Sequence, residues 1–357
     1  MSRKTVSLQD IRQRIDALDA RMVTLLSMRA RLAQQAWHAK GQAAAYKPER
    51  EAQVLRRIRD MNRGPLPAAA LNRLFTEIMS ACRALEQQMA VAYLGPEGTF
   101  SQEAVIKHFG GATGGRPLGS IDEVFRAVES GESAYGVVPV ENSTEGAVGR
   151  SLDLLLNTSA RICGEIMLPV RQNLMSLARK RGDIRVVYSH TQSLAQCQQW
   201  LARHLPEVER VAVVSNAEAA RMASRDRRSA AIASRSAAGL YGLKLLAERI
   251  EDDPRNTTRF VVIGGEAVPP SGRDKTSLVL SARNVPGAVH ELLAPLARYG
   301  VSMTRFESRP ARTGRWEYVF YVDIEGHAED ASVKKALAGL ARKAAYCKIL
   351  GSYPAAA

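Results

Sequence analysis

Four stretches of the chain crowd polar side chains closely enough to meet one small ligand. They are YLGPEGTFS at 93–101, VVPVENSTEGAVG at 137–149, VVYSHTQSLAQC at 186–197 and DPRNTTRF at 253–260. The first three share one form: an apolar strand, a polar loop, a helix start. A helix N-terminus leaves backbone N–H groups without partners, and these attract anions. Ser, Thr and Asn at such places also cap helices, and one loop alone says no more than that. Several in one region point to a small anion in a cleft. A second group is cationic. Arg29 and Lys40 are eleven residues apart, which is three helical turns, so both lie on one face with bases about 16 Å apart. Two long side chains of that spacing converge on a ligand between them. Arg50 and Glu51 open the next helical stretch, and Cys82 and Glu86 share a face of a third at i, i+4. Taken alone, Arg29 has a second reading, in which it pairs with an acid or snorkels to the edge of an apolar seam.

The elements that must hold these groups fall into three regions. Residues 8–90 read as helix throughout. Ile11, Ile15, Leu18, Met22, Leu25, Leu32 and Ala36 form a seam of alternating four and three spacing, with Arg29 on it. The pattern breaks between Gly41 and Pro48, and Pro48 suits the first turn of a second helix that runs to about Asn62. Gly64-Pro65-Leu66-Pro67 interrupts it, and a third helix carries Leu71, Phe75, Ile78, Cys82, Leu85 and Met89. Three helices of such unequal length close no core alone, so the long first helix predicts pairing of two chains. From Val91 apolar runs alternate with helical stretches, at Val91–Leu94, Gly136–Val140, Arg185–Tyr188, Val211–Val214, Ala230–Ala233 and Phe260–Ile263. That order predicts an α/β arrangement with largely parallel strands. After Pro269-Pro270-Ser271-Gly272 comes strand 276–282, helix 286–299, strands 301–308 and 315–324, helix 330–345 and strand 346–351. The βαββαβ order is ferredoxin-like. Its Pro286-Gly287 turn opens a helix whose N–H groups suit a ligand carboxylate; the plainer reading is a turn and nothing more.

Composition bounds the classes. The 357 residues are 46% hydrophobic and 24% charged, ordinary for a soluble globular chain of two or three domains. No run is long and apolar enough for a membrane helix, and MSRKTVSLQDIRQRID lacks the apolar core of a secretory signal. Cys82, Cys163, Cys197 and Cys347 have no metal-ligand spacing, and they read as reduced thiols of a cytoplasmic protein. The net charge is +14, of which residues 1–90, with 16 Lys/Arg and 8 Asp/Glu, supply +8. Nucleic-acid binding brings a recognisable module or exposed stacking aromatics; neither is seen, and aromatics are 6% of the chain. A small anionic substrate is the reading that remains beside a solvated basic face.

Residues 8–90 resemble the all-helical chorismate mutases. The likeness lies in the order of Arg12, LLSMRARLA at 25–33, Lys40, PEREAQVL at 48–55 and SACRALEQ at 80–87. It implies an intertwined dimer in which Arg29, with Arg12 of the partner chain, binds the substrate carboxylates. Lys40 and Glu86 then contact the ether oxygen of the breaking bond, and Arg50 and Glu51 anchor the ring and its hydroxyl. The chemistry suits these residue types. Rearranging chorismate to prephenate needs no nucleophile, only a compact substrate and positive charge where the ether oxygen gains electron density. Glu86 helps only when protonated, which predicts mutase activity that falls as pH rises. Two positions depart from the family pattern: Lys47, where relatives often carry an acid, and Cys82, where they often carry serine.

The segment near 91–267 resembles prephenate dehydratase through GPEGTFS, PVENSTEG, YSHTQ and NTTRF. The family fold has two lobes like the type-II periplasmic binding proteins, with the active site between them. One lobe is expected near 91–168 plus 257–267, the other near 170–250. By this resemblance Thr258 assists the departing hydroxide, and Asn142, Ser143 and Gln192 contact or flank prephenate. Arg259 either holds a carboxylate bidentately or braces its loop. The βαββαβ segment resembles an ACT domain through NVPGAVHELL at 284–293 and TRFESRP at 304–310. That implies a phenylalanine site built from Gly287, Ala288 and Val289 with Glu307, Ser308, Arg309 and Pro310. The chain thus reads as a multidomain protein. An all-α mutase domain spans 1–90, an α/β two-lobed dehydratase domain 91–268, and an α+β ferredoxin-like ACT domain 274–354. Its ligands are chorismate, prephenate and L-phenylalanine, with no metal, cofactor, nucleic acid or membrane implied and a homodimer or larger homo-oligomer expected. Two other classes compete: a secreted two-lobed binding protein, which leaves the helical region unexplained, and a nucleic-acid-binding regulator, which predicts a module that is not seen.

Overall fold

The computed structural model describes residues 7–39, 41, 46–282, 285–311 and 318–356. Lys40, and Asn284 at the head of the NVPGAVHELL stretch, lie outside the described residues. Three helices come first: α1 (Leu8–Ala39), α2 (Pro48–Met61) and α3 (Ala68–Ala84). Pro48 sits in the first turn of α2, where a missing N–H costs nothing. Over its 32 residues α1 buries no side chain. Leu18, Met22, Leu25 and Leu32 are all more than half exposed, an apolar stripe left open among the described residues. In α3 the buried face is Thr76, Met79, Ser80, Cys82 and Arg83, while Phe75 and Ile78 of the sequence seam are only half-buried. The helix ends at Ala84, so Glu86 lies in the following turn rather than on the helical face of Cys82; its N–H donates to Arg83 O at 2.9 Å.

The middle of the chain forms two lobes. The first holds β1 (Ala90–Leu94), α4 (Phe100–Phe109), β2 (Gly114–Leu118), α5 (Ile121–Glu129), β3 (Tyr135–Asn142), β4 (Gly146–Ala147), α6 (Gly149–Asn157) and β5 (Arg161–Pro169). The second holds β6 (Asn173–Ser176), β7 (Val186–His190), α7 (Thr191–Gln196), α8 (Gln198–His204), β8 (Glu209–Val213), α9 (Asn216–Ala223), β9 (Ser229–Ala233), α10 (Arg235–Leu240) and β10 (Lys244–Ala247). The chain then returns to the first lobe as β11 (Thr257–Gly264). The sheet orders are β2-β1-β3-β11-β5, with β4 on β3, and β10-β6-β9-β7-β8. The expectation of largely parallel strands holds for the β1 and β7 pairings only. The returning strand β11 runs antiparallel to β3 and β5, and β6 runs antiparallel to β9 and β10.

The last region is β12 (Asp274–Ser281), α11 (Ala288–Arg298), β13 (Met303–Pro310), β14 (Tyr318–Glu325), α12 (Ala331–Lys343) and β15 (Tyr346–Pro354). Its antiparallel sheet has the ferredoxin-like order β13-β14-β12-β15. One face buries Leu278, Leu280, Phe320 and Val322 against its own two helices. The other face, with Val279, Val319, Tyr321 and Leu350, shares a core with Leu152, Leu155 and Ile162 of the first lobe. Contact is closest at Gly351, where a Cβ atom would stand 2.0 Å from the Ile162 carbonyl oxygen. Lys348 Nζ donates to the carbonyls of Leu155, Leu156 and Thr158 at 2.7–3.1 Å, a cation at the C-terminus of α6. Among the described residues no helix is long and apolar enough to cross a membrane.

Candidate active sites

A cavity of about 730 Å³ opens between the two lobes, at the ends of β1, β3, β7 and β11. Asn142, Thr258 and Phe260 line it from the first lobe, and Gln172, Gln192 and Ser193 from the second. The orientation of the Asn142 amide is fixed by backbone. Its Oδ1 accepts from Thr144 N at 3.0 Å and Glu145 N at 3.2 Å, so its Nδ2 must face Thr258 Oγ1, at 2.8 Å. The Thr258 oxygen is therefore an acceptor toward Asn142, and its own hydrogen is left to point elsewhere. Across the cleft Ser193 is built alike. Its Oγ accepts from Gln172 Nε2 at 2.9 Å and Asn216 Nδ2 at 2.8 Å. The side chain of Asn216 is itself turned by His190 N, which donates to its Oδ1 at 3.0 Å. Among the described residues none that lines the cavity is Lys or Arg. Positive potential comes instead from the N-terminal ends of α4 and α9, where Thr99, Ser101, Ser215 and Asn216 line the cavity.

Asn142, Gln192 and Thr258 thus meet at the cleft as their motifs predict, but two neighbours do not. Side chains alternate across a strand, and Arg259 lies on the face of β11 opposite Thr258. It is 7% exposed and donates to Glu165 Oε2 and to Tyr353 Oη, each at 3.0 Å, with an ion pair to Asp323. Its side chain points away from the cleft. Ser143 is exposed, and its Oγ accepts from Thr257 N at 3.0 Å, tying β11 to the end of β3. Ser193, Asn216 and Gln172 also line the cleft. They come from separate segments, and of the three only Ser193 lies in a stretch that the sequence marks, at 186–197.

In the helical region Arg29 Nη1 donates to Cys82 Sγ at 2.9 Å. The Glu51 carboxylate is paired with Arg83, which also donates to the Phe109 carbonyl of α4 and lies 5.4 Å from the Tyr46 ring centroid. Burial raises the pKa of Glu51, while the charges of Arg83 and Arg29 oppose that rise. Tyr46 itself is buried in the first lobe, where its hydroxyl meets His108 Nε2 at 2.6 Å. Burial, then the charges of Arg83 and Lys107, push His108 down to about 4. Arg50 is exposed, and so is Arg12. Arg12 precedes Arg29 on the same straight helix by a distance of about 25 Å, too far for both to reach one ligand from one chain.

Residues 91–268 match the family model of prephenate dehydratase, residues 11–87 that of chorismate mutase type II, and residues 276–342 that of the ACT domain. A bifunctional chorismate mutase/prephenate dehydratase of Stutzerimonas stutzeri is 52% identical over 357 residues, which is 98% of each chain. The chain belongs to the bifunctional chorismate mutase/prephenate dehydratases. It carries both activities of phenylalanine biosynthesis, the rearrangement of chorismate to prephenate and the conversion of prephenate to phenylpyruvate. A solved prephenate dehydratase of Arthrobacter aurescens in complex with L-Phe superposes with a TM-score of 0.69 at 34% identity, over 74% of this chain and 90% of its own. A second solved chain, described as a novel type of quorum-quenching acylase, gives a TM-score of 0.69 at 30% identity, over 75% of this chain and 98% of its own. A two-lobed fold alone therefore does not fix the chemistry; the side chains of the cleft must.

In the ACT domain, Gly287 has φ 77° and precedes α11 in the left-handed region, with Ala288 and Val289 in the first helical turn. The edge strand β13 alternates. Phe306, Ser308 and Pro310 are exposed, whereas Arg305, Glu307 and Arg309 are half-buried. Arg309 Nη2 reaches Asp153 of the dehydratase domain at 3.2 Å. Its guanidinium is thus turned to the first lobe.

Proposed function

We propose that the cleft between the lobes carries out the dehydration, with Thr258 as the hydrogen-bond donor at the departing hydroxyl. The observation that carries this reading is the Asn142–Thr258 contact of 2.8 Å on the cleft wall. Asn142 fills the acceptor side of the Thr258 oxygen and so aims its hydrogen away, toward a ligand. The C–CO₂ bond of prephenate breaks, its electrons enter the ring, and the C–O bond at the far carbon breaks in turn. Carbon dioxide leaves, and the hydroxide leaves as water after taking one proton. Aromatisation drives the step, so the enzyme's task is to stabilise charge on that oxygen, an effect worth roughly 10²–10⁴-fold. Threonine is too weak an acid for full transfer, and its part is a directed hydrogen bond. The carboxylates of prephenate rest on the N-terminal turns of α4 and α9, with Gln192 and Ser193 as side-chain donors.

For the first reaction, Arg29 binds one substrate carboxylate and Arg12 of a second copy the other, with Lys40 and Glu86 at the ether oxygen and Arg50 and Glu51 toward the ring. The bare stripe of α1 and the distance from Arg12 to Arg29 support an intertwined dimer. L-Phenylalanine binds where α11 begins, near Gly287, Ala288 and Val289, with Glu307, Ser308 and Pro310 of β13, and lowers dehydratase activity. The likeness to a dehydratase solved with L-Phe supports this. The functional divisions fall at 1–90, 91–268 and 274–354, and the free cysteines fit a cytoplasmic place. The test is product analysis after giving the purified protein chorismate alone. Phenylpyruvate is expected from the parent chain and prephenate from Thr258→Ala. Phenylpyruvate formed at the parent rate by Thr258→Ala removes Thr258 from the mechanism.

A further inference from the structure

The strand pair that carries Asn142 and Thr258 has a second, buried side. In the register of β3 and β11, Thr258 stands opposite Asn142 and Arg259 opposite Glu141. The first pair faces the cleft, and the second faces the sheet of the ACT domain. Arg259 meets Asp323 of β14 and Tyr353 of β15. Glu141 meets Arg305 of β13 at 2.8 Å. Ser277 of β12 joins Tyr353 to Asp323, and Lys275 of β12 reaches Glu165 at 2.8 Å. Every strand of the ACT sheet thus sends a polar group to the underside of the Asn142–Thr258 pair. The charges balance, with Arg259 and Lys275 against Glu165 and Asp323.

The backbone at this point is irregular. The register of β11 on β3 shifts between Arg259 and Phe260, a bulge of the kind that re-aims a side chain. The extra residue, Val140, is on β3, while β11 keeps its register with β5 at Arg259 and Phe260, so the pinned guanidinium of Arg259 is a side-chain anchor at the irregular pairing. A buried guanidinium cannot give up its partners without replacement. Any shift of the ACT sheet that moves Asp323 and Tyr353 must therefore move Arg259, and with it the peptide that carries Thr258.

We propose that Arg259 is a positioning residue for the dehydration, and that its contacts with Asp323 and Tyr353 are the link through which the ACT sheet sets the aim of Thr258. This rests on the reading of Thr258 given above. The contact is more than domain glue, because glue fixes how firmly the domains dock and leaves the turnover of a docked enzyme alone.

The test uses the full chain with Asp323→Asn, which keeps the side-chain volume and removes one charge. Dehydratase kcat is expected to fall about tenfold with KM for prephenate within about twofold. Mutase activity stays at the parent value and reports intact folding. Phenylalanine still binds by calorimetry, but half-inhibition of dehydration needs about tenfold more of it. If Asp323→Asn unfolds, Arg259→Lys keeps the charge without the forked reach, and the same changes are expected. In a Thr258→Ala background Asp323→Asn should change the residual rate no further, since the two act as one unit. Parent kcat and parent inhibition in both single variants overturn the proposal and leave Thr258 in place. A fully active Thr258→Ala sinks the underlying reading instead.

Discussion

At the scale of single residues, the cleft depends on which way a hydrogen points. Asn142 donates to Thr258 because backbone N–H groups occupy its other atom. Asn142→Asp keeps the shape and reverses the logic, since a carboxylate can only accept. The Thr258 hydrogen then turns to the aspartate and away from substrate, and phenylpyruvate formation should fall about 10²-fold. Steady-state rates with prephenate decide it; a parent rate for Asn142→Asp would mean the hydroxyl has no directed role. His108 makes a second prediction. Its folded pKa is about 4, against about 6.5 in an unfolded chain. Between those values the unfolded state binds the extra proton, so stability is full above about 6.5 and declines as pH falls toward 4, by on the order of 3 kcal/mol. Thermal melts from pH 7 to 4.5 should show the decline, and His108→Gln should flatten it.

At the scale of elements, the sequence is most legible where a strand is an unbroken apolar run. The run at 136–140 becomes β3 and that at 260–263 becomes β11, both with their polar stretches attached. β2 and β5 resist the same reading. β2 is GGRPL, an edge strand half in water with a proline in it. β5 buries Glu165, a charge that reads as surface until Arg259 and Lys275, about a hundred residues later, are seen to neutralise it. Arg259 itself was decipherable: in TTRF the period of two places it opposite Thr258. No such clue marks Gln172 and Asn216, the partners of Ser193, which come from elsewhere in the chain. Nor does one mark the buried polar face of α3, chosen by docking onto α4 rather than by the apolar seam. The docking of β15 on β5 leaves no room at Gly351 for even a methyl group. Gly351→Ala should cost about 1–3 kcal/mol through displaced backbone, lower the melting temperature and loosen inhibition by phenylalanine. A parent melting curve for that variant would mean the two strands can separate freely.

At the scale of the whole molecule, the three domains share interfaces. Arg83 joins a mutase helix to the dehydratase, and Arg259 joins the dehydratase to its sensor. Among the described residues nothing covers the apolar stripe of α1, and Arg12 stands about 25 Å from Arg29 along the helix. The helix that carries both Arg12 and Arg29 holds them one long reach apart. The intertwined dimer proposed above would let two broken copies repair each other. A chain with Arg12→Ala and a chain with Arg29→Ala are each expected to be dead as mutases. Refolded together in equal amounts, half of the dimers are mixed, and each mixed dimer holds one site with both defects and one with none. About a quarter of the parent mutase activity should return, a recovery that a site drawn from one chain could never show.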